Sequence, residues 1–304
     1  MDYDAVANLF LLPQDVAPPE PALPQSPARR LRDALEPIAT IGWWSRESSV
    51  ASADLGHDFL DGYVWGRAAA LGADVSPAIV VAAFGVFEPT MLAAVYSQGR
   101  RISSHDAVLG ARAAGAAAGL GAATDGIDAH DIERLGDRLL DALASIDGSG
   151  RALFAALRAQ PIPDSANGRA WRGAELVREH RGDGHIAACV AAGLDAVEMN
   201  VLTEVWLDYT VGAYSATRGF SPERIQAAAA SLRAKGWLAE SQSLTAAGRD
   251  ARDDIEAATD RSQDALVAAL GPDIDDVIRI AHSVGMAILA AHAAPADARK
   301  RAAG

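Results

Sequence analysis

Between Ser104 and Gly121 the chain reads Ser-His-Asp-Ala-Val-Leu-Gly-Ala-Arg-Ala-Ala-Gly-Ala-Ala-Ala-Gly-Leu-Gly, a run with almost no side-chain bulk. Alanine is the best helix former, and both alanine and glycine are depleted from strands. Such a run is stable only as a helix pressed closely against other helices. The rest of the chain agrees. Half of the residues are apolar, alanine dominates that half, and aromatic residues make up only 6%. A mainly α protein with closely approaching helices is expected.

At 304 residues the chain has room for two domains or one large helical one. Its formal charge of −13 gives a field that repels nucleic acid and anionic membranes, so a DNA contact would need a local basic patch. Cys189 is the only cysteine, which excludes an internal disulfide and a cysteine-based zinc site. No apolar stretch is long enough to span a bilayer and no signal peptide is evident. A cytoplasmic protein without a membrane partner is expected, acting alone or as a homodimer.

Residues 1–28 read as a proline-rich extended tail, because Pro13, Pro18, Pro19, Pro21, Pro24 and Pro27 forbid a helix. The apolar piece Leu9–Leu12 is expected to dock on the body or on a second subunit. Residues 29–150 form an N-terminal helical half and residues 151–304 a C-terminal half. In the first, Leu31, Leu35 and Ile38 recur at helical spacing until Ile41-Gly-Trp-Trp44 interrupts them. Adjacent tryptophans point to different sides, so one of Trp43 and Trp44 should pack in the core and the other line a crevice. A helix over roughly 53–71 follows. It carries Arg67 among apolar neighbours, where a guanidinium needs an anionic partner or acts as a ligand clamp.

The densest polar cluster is Glu179-His-Arg-Gly-Asp-Gly-His185, immediately before the apolar run Ile186-Ala-Ala-Cys-Val-Ala-Ala192. Capping explains part of it. A helix over 170–181 would end at Gly182, with Asp183 capping the next one. Capping does not explain Glu179, His180 and His185. Read as a site, His180 or His185 moves a proton, Glu179 or Asp183 orients the imidazole, and Arg67 or Arg181 holds an anionic group. The spacing fits no standard metal signature, so no metal is expected, and no cofactor can be named.

Residues 221–261 carry the most specific pattern. Ser221-Pro-Glu opens a helix with Ile225, Ala228, Ala229 and Leu232 inward; Lys235-Gly-Trp-Leu leads into a polar turn, and Leu244-Thr-Ala-Ala-Gly-Arg opens the next helix. These segments resemble a winged helix-turn-helix of the MarR type, placed at about 196–262 with one small β-hairpin. With Arg178–His185 and Glu256–Arg261, the chain is similar over roughly 29–275 to an actinobacterial helix-turn-helix family typified by SalK and EvbL, some of whose members occur among natural-product genes. The resemblance implies architecture more than activity.

For a DNA reader the contacts would be Arg224, Gln226, Arg233 and Lys235. Two outward alanines cannot read base edges, however, and the wing Glu240-Ser-Gln-Ser243 has no basic residue. A second use of the fold is suggested by an echo: Tyr63-Val-Trp-Gly66 then Ser76-Pro77 parallels Tyr209-Thr-Val-Gly212 then Ser221-Pro222. This points to two pseudo-symmetric winged-helix-like halves with a crevice between them. The leading expectation is therefore a small-molecule-binding protein, or an enzyme of specialised metabolism, with its site at Glu179–His185. A DNA-binding regulator is the rival.

Overall fold

The computed structural model describes residues 3–13 and 21–303. Residues 21–26 of the proline-rich segment have no regular structure, Pro27 opens a helix, and residues 14–20 lie outside the described residues. A short helix α1 (Tyr3–Val6) and a π-helical turn (Ala7–Leu11) precede this segment. That piece docks on the body: Leu11 is fully buried, the Phe10 ring packs on Trp44, and the Phe10 carbonyl accepts from the Ala296 amide.

Ser26 then caps α2 (Pro27–Trp44), with proline at the first helical position. The helix does not stop at Ile41, as the sequence suggests, but continues through Gly42 to Trp44. Gly42 lies where α2 passes over Ala116 and Trp171, so its small size serves packing rather than a turn. In place of the expected helix over 53–71, a separate α3 (Arg46–Ala53) ends where that helix should begin, and α4 (Phe59–Ala68) runs on into a 3-10 turn at Ala69–Leu71. Gly56 takes a left-handed backbone between them and Asp58 caps α4 through the Leu60 and Asp61 amides.

The chain continues with α5 (Pro77–Phe84), α6 (Pro89–Ile102), α7 (His105–Ala123), α8 (Ala129–Leu143) and α9 (Ala152–Arg158). Next come α10 (Ala166–Ala191), α11 (Ala196–Trp206), α12 (Pro222–Ala234) and α13 (Ala246–Arg261). The C-terminal helices are α14 (Asp264–Leu270), α15 (Ile274–Ala290) and α16 (Ala298–Ala302). The alanine- and glycine-rich run forms most of α7. It crosses α3 so closely that a Cβ on Gly115 would lie 2.8 Å from the Cα of Ser48.

The 26-residue α10 is the axis of the fold. Its first half joins the largest hydrophobic cluster, where Trp171 and Ala174 pack with Leu35 and Ile38 of α2, Leu135 and Leu139 of α8, and Ile280 and Val284 of α15. A second cluster gathers α4, α5 and α6 around Val64, Trp65, Phe84 and Tyr96. The third holds Cys189 of α10 with Val201 and Leu202 of α11 and with Ile225, Ala229 and Leu232 of α12.

The helix-turn-helix segment is present in outline. Asp195 and Glu198 form a reciprocal capping box on α11, Ser221 caps α12 and Thr245 caps α13. The hairpin is not. Leu238 and Leu244 make one isolated antiparallel bridge, and no strand occurs among the described residues. The segment between Gly236 and Thr245 pairs only through this bridge and its two flanking bonds, Ala239 N–H to the Ser243 carbonyl and Thr245 N–H to the Trp237 carbonyl. The internal echo holds for the two Ser-Pro helix starts. It fails just before them: Tyr63–Gly66 is helical, whereas Tyr209–Gly212 is a turn after α11.

Candidate ligand-binding site

The polar cluster does not break the chain. Residues 179–185 lie inside α10, and neither Gly182 nor Gly184 adopts a left-handed backbone. Tertiary partners override the local capping signal. Gly184 allows the close approach of Ser262 and Arg151, since a Cβ there would lie 2.4 Å from the Ser262 hydroxyl. Asp183 is a cap after all, but for another helix. Its Oδ2 accepts from the backbone amide of Phe154, at 3.0 Å, in the first turn of α9.

Arg67 finds its anion on α10. Its Nε and terminal nitrogen donate to the two Glu179 carboxylate oxygens at 3.1 and 2.6 Å, a bidentate pair with both side chains buried. The pair continues as a chain: Glu179 also accepts from Arg178 at 3.0 Å, Arg178 approaches Glu36 at 3.2 Å, and Arg32 meets the same Glu36 oxygen at 3.2 Å. The neighbouring Arg67 and Arg178 hold the Glu179 carboxyl below its usual range against the opposing effect of burial.

One turn on, Arg181, Arg29 and Arg252 converge on Glu256 at 2.9, 3.1 and 2.7 Å. Glu256 therefore stays ionised in spite of its burial. Arg181 also reaches Asp260, at 3.3 Å.

The two histidines separate. The His180 Nδ1 donates to Gln263 Oε1 at 2.8 Å, and its ring stands edge-on to Phe154 with centroids 4.8 Å apart. It is buried in this packing and does not border the cavity described below, contrary to its expected catalytic place. His185 does border it. The Thr259 hydroxyl donates to the Ile255 carbonyl, so it accepts from His185 Nδ1 at 3.0 Å. That leaves His185 Nε2 as the acceptor facing the Cys189 thiol at 3.6 Å. Burial and the nearby arginines push the His185 imidazole down to about 3, and burial pushes the Cys189 thiol up to about 11. Both groups are neutral at physiological pH.

Glu179, Arg181, Asp183, His185 and Arg67 line a cavity of about 90 Å³ between α4–α5 and α10–α11, with Phe84 and Phe87 as its apolar wall. Burial, reinforced by the Glu179 charge, pushes the Asp183 carboxyl up to about 6, against the Phe154 amide bond and the nearby arginines. An acid poised there can donate a hydrogen bond below that pH and accept above it.

Tyr63, Phe87, Arg178 and Arg218 also border a second cavity of about 110 Å³. Both tryptophans line this one, neither being fully buried: Trp44 stacks on Phe59 and Trp43 meets Tyr63 edge-on. Arg178, Glu36, Arg218 and Lys300 were not singled out by sequence reasoning. Arg178 was visible within the cluster. The other three come from α2, the turn after α11 and the C-terminal helix, where no local pattern marks them.

Among the described residues no group of His, Cys, Asp and Glu is placed to hold a metal ion. On the candidate DNA-reading surface Arg224 and Gln226 are exposed on α12. Lys235 is engaged, donating to Glu198 at 2.8 Å and to the Gly193 carbonyl at 2.9 Å, and Arg233 lies 4.0 Å from Glu240. Asp250, Asp253 and Asp254 are exposed on the adjoining α13. No single helix among the described residues is long and apolar enough to cross a membrane. A family model described as a helix-turn-helix family matches residues 28–295, which is most of the chain. No curated protein and no solved structure matches.

Proposed function

We propose, from the premise that the chain belongs to a helix-turn-helix family, that it is a cytoplasmic small-molecule-binding member of that family, of the SalK and EvbL kind. The ligand occupies the cavity between α4–α5 and α10–α11. The observation that carries this reading is Asp183, a carboxyl at about 6 that borders an internal cavity beside the Arg67–Glu179 pair. A buried acid near neutrality is costly, and such groups collect at functional sites. The neutral His185 beside it adds a shape-defining wall rather than a charge.

Gly182 provides the test. It borders the cavity in a regular helix, and a Cβ added there meets only Glu179 Oε2, at 3.9 Å. Gly182→Leu should fill the cavity while α10 stays intact. A compound found to raise the melting temperature of the parent should then fail to stabilise this variant. Equal stabilisation of both proteins would refute the site.

A second reading, a regulator that binds DNA through α12, is favoured by the family match and by the exposed Arg224 and Gln226. The engaged Lys235 and the acidic α13 count against it.

A further inference from the structure

The second cavity carries a charge pattern opposite to that of the chain as a whole. Its walls are aromatic, formed by Trp43, Trp44, Phe59, Tyr63 and Phe87. Glu36 is the one carboxylate lining it among the described residues, and Arg32 and Arg178 already hold that group. Arg218 and Lys300 line the same cavity, and neither makes an ion pair with a carboxylate of the described residues. Arg218 lies over the Phe87 and Tyr214 rings and reaches the Tyr214 hydroxyl. The Lys300 ammonium lies 3.7 Å from the Phe10 ring centroid.

Two residues lining this cavity carry a buried donor with no acceptor among the described residues: Arg218 at Nε and Trp43 at Nε1. A buried N–H without a partner is destabilising, and an acceptor entering this cavity would relieve both. We propose that this cavity binds an aromatic carboxylate, its ring among the tryptophans and Phe59 and its oxygens accepting from Arg218, Lys300 and the Trp43 N–H. The inference goes beyond the reading above: this is a second cavity, which shares Tyr63, Phe87, Arg178 and Arg218 with the first, and the inference rests on that reading only for the existence of a ligand.

Lysine is rare here, Lys235 and Lys300 being the only two. The charged and titratable groups facing Lys300 are Arg218, Arg178, Arg301, Glu36 and Tyr63 across the cavity, with Asp297 nearby. Asp297 is taken up by Arg299 and Tyr209. Burial and Arg218 bring the Lys300 amine down to about 7. A carboxylate arriving beside it favours the ammonium, so binding above that pH takes up a proton.

The test is calorimetric titration of the full chain with 2-naphthoate and with its neutral isostere 2-naphthamide at about pH 7.5. Naphthoate should bind at least about tenfold more tightly than the amide. Lys300→Met and Arg218→Gln should each weaken naphthoate by about fivefold or more and leave the amide unaffected. Repeating the titration in buffers of different ionisation enthalpy should show proton uptake by the parent and none by Lys300→Met. Amide binding as tight as naphthoate, or naphthoate binding unchanged in both variants, overturns the inference. A neutral compound lost in Gly182→Leu but untouched by Lys300→Met, with naphthoate inert, overturns it too and leaves the wider reading standing. No binding by any compound removes both.

Discussion

The guanidinium of Arg67 and the carboxylate of Glu179 lie 112 residues apart in sequence and meet through two parallel hydrogen bonds in the protein interior. The pair joins α4 to α10 and sets one wall of the inner cavity. Removing one partner strands a buried charge, so Arg67→Met should destabilise the protein by about 3–5 kcal/mol. Glu179→Gln should cost at least as much, because it leaves the buried Arg67 without a carboxylate, whereas after Arg67→Met the Glu179 carboxylate keeps its bond from Arg178. The double variant should be more stable than the sum of the single losses, and urea denaturation of all four proteins measures that coupling.

Asp183 makes stability depend on pH in an uncommon direction. Its folded-state value of about 6 lies above the unfolded value of about 3.9. Between those values the folded protein holds the extra proton, so this group's contribution to stability falls as pH rises from about 4 to about 6. Above about pH 6 the ionised carboxylate imposes its full penalty, on the order of 3 kcal/mol. Asp183→Asn keeps an oxygen for the Phe154 amide and removes the charge. The variant should match the parent near pH 4 and exceed it above pH 6 in denaturation measurements. An Asn variant less stable than the parent at neutral pH would show that the carboxylate is favourably held.

The same residue shows what could and could not be read from the chain. Helix starts were legible at Ser221-Pro222 and Thr245, which cap as their spacing implies, whereas Pro27, counted with the tail, instead opens a helix capped by Ser26, and the Asp195–Glu198 box went unread. The need of Arg67 for an anion was legible from its apolar neighbours, and so was the polar cluster that supplies it. Helix ends were misread where glycine serves close packing. Gly42 looks like a stop in one dimension and is a contact point in three, while Gly182 lies within a continuous helix where it borders the inner cavity. The surroundings of His180 were not legible either. Its partners Gln263 and Phe154 lie in other elements, and nothing beside it in sequence announces them. Arg218 and Lys300 are brought to one cavity only by the docking of α16, a juxtaposition no periodicity encodes.

Helix packing gives a sharper contrast between glycines. A Cβ on Gly173 of α10 would lie 2.8 Å from Leu139 Cβ, and one on Gly136 of α8 would lie 2.8 Å from the Ala170 amide nitrogen. Either Gly→Ala change forces α8 and α10 apart and should cost about 1–3 kcal/mol. Gly110 of α7 is exposed, with nothing within 4 Å of an added Cβ. Gly110→Ala should stabilise by about 0.5–1 kcal/mol through helix propensity alone. Thermal melts of the three single variants check both signs.

The regulator reading makes a separate demand on the surface of α12. Of its four candidate contacts Arg224 and Gln226 stand exposed, while Lys235 is held by Glu198 and Gly193. Freeing Lys235 would break two hydrogen bonds that tie α12 to the start of α11. The exposed Asp250, Asp253 and Asp254 of α13 would be brought towards the phosphates, and the net charge of −13 opposes approach at any distance within the screening length. Fluorescence anisotropy with a mixed-sequence duplex should therefore show only weak binding that collapses as salt rises to about 0.15 M. Glu198→Gln, which loosens Lys235, should raise that binding slightly, and Arg224→Ala should abolish it. Sequence-selective binding in the nanomolar range at that salt, lost in Arg224→Ala, would establish α12 as a recognition helix and reverse the order of the two readings.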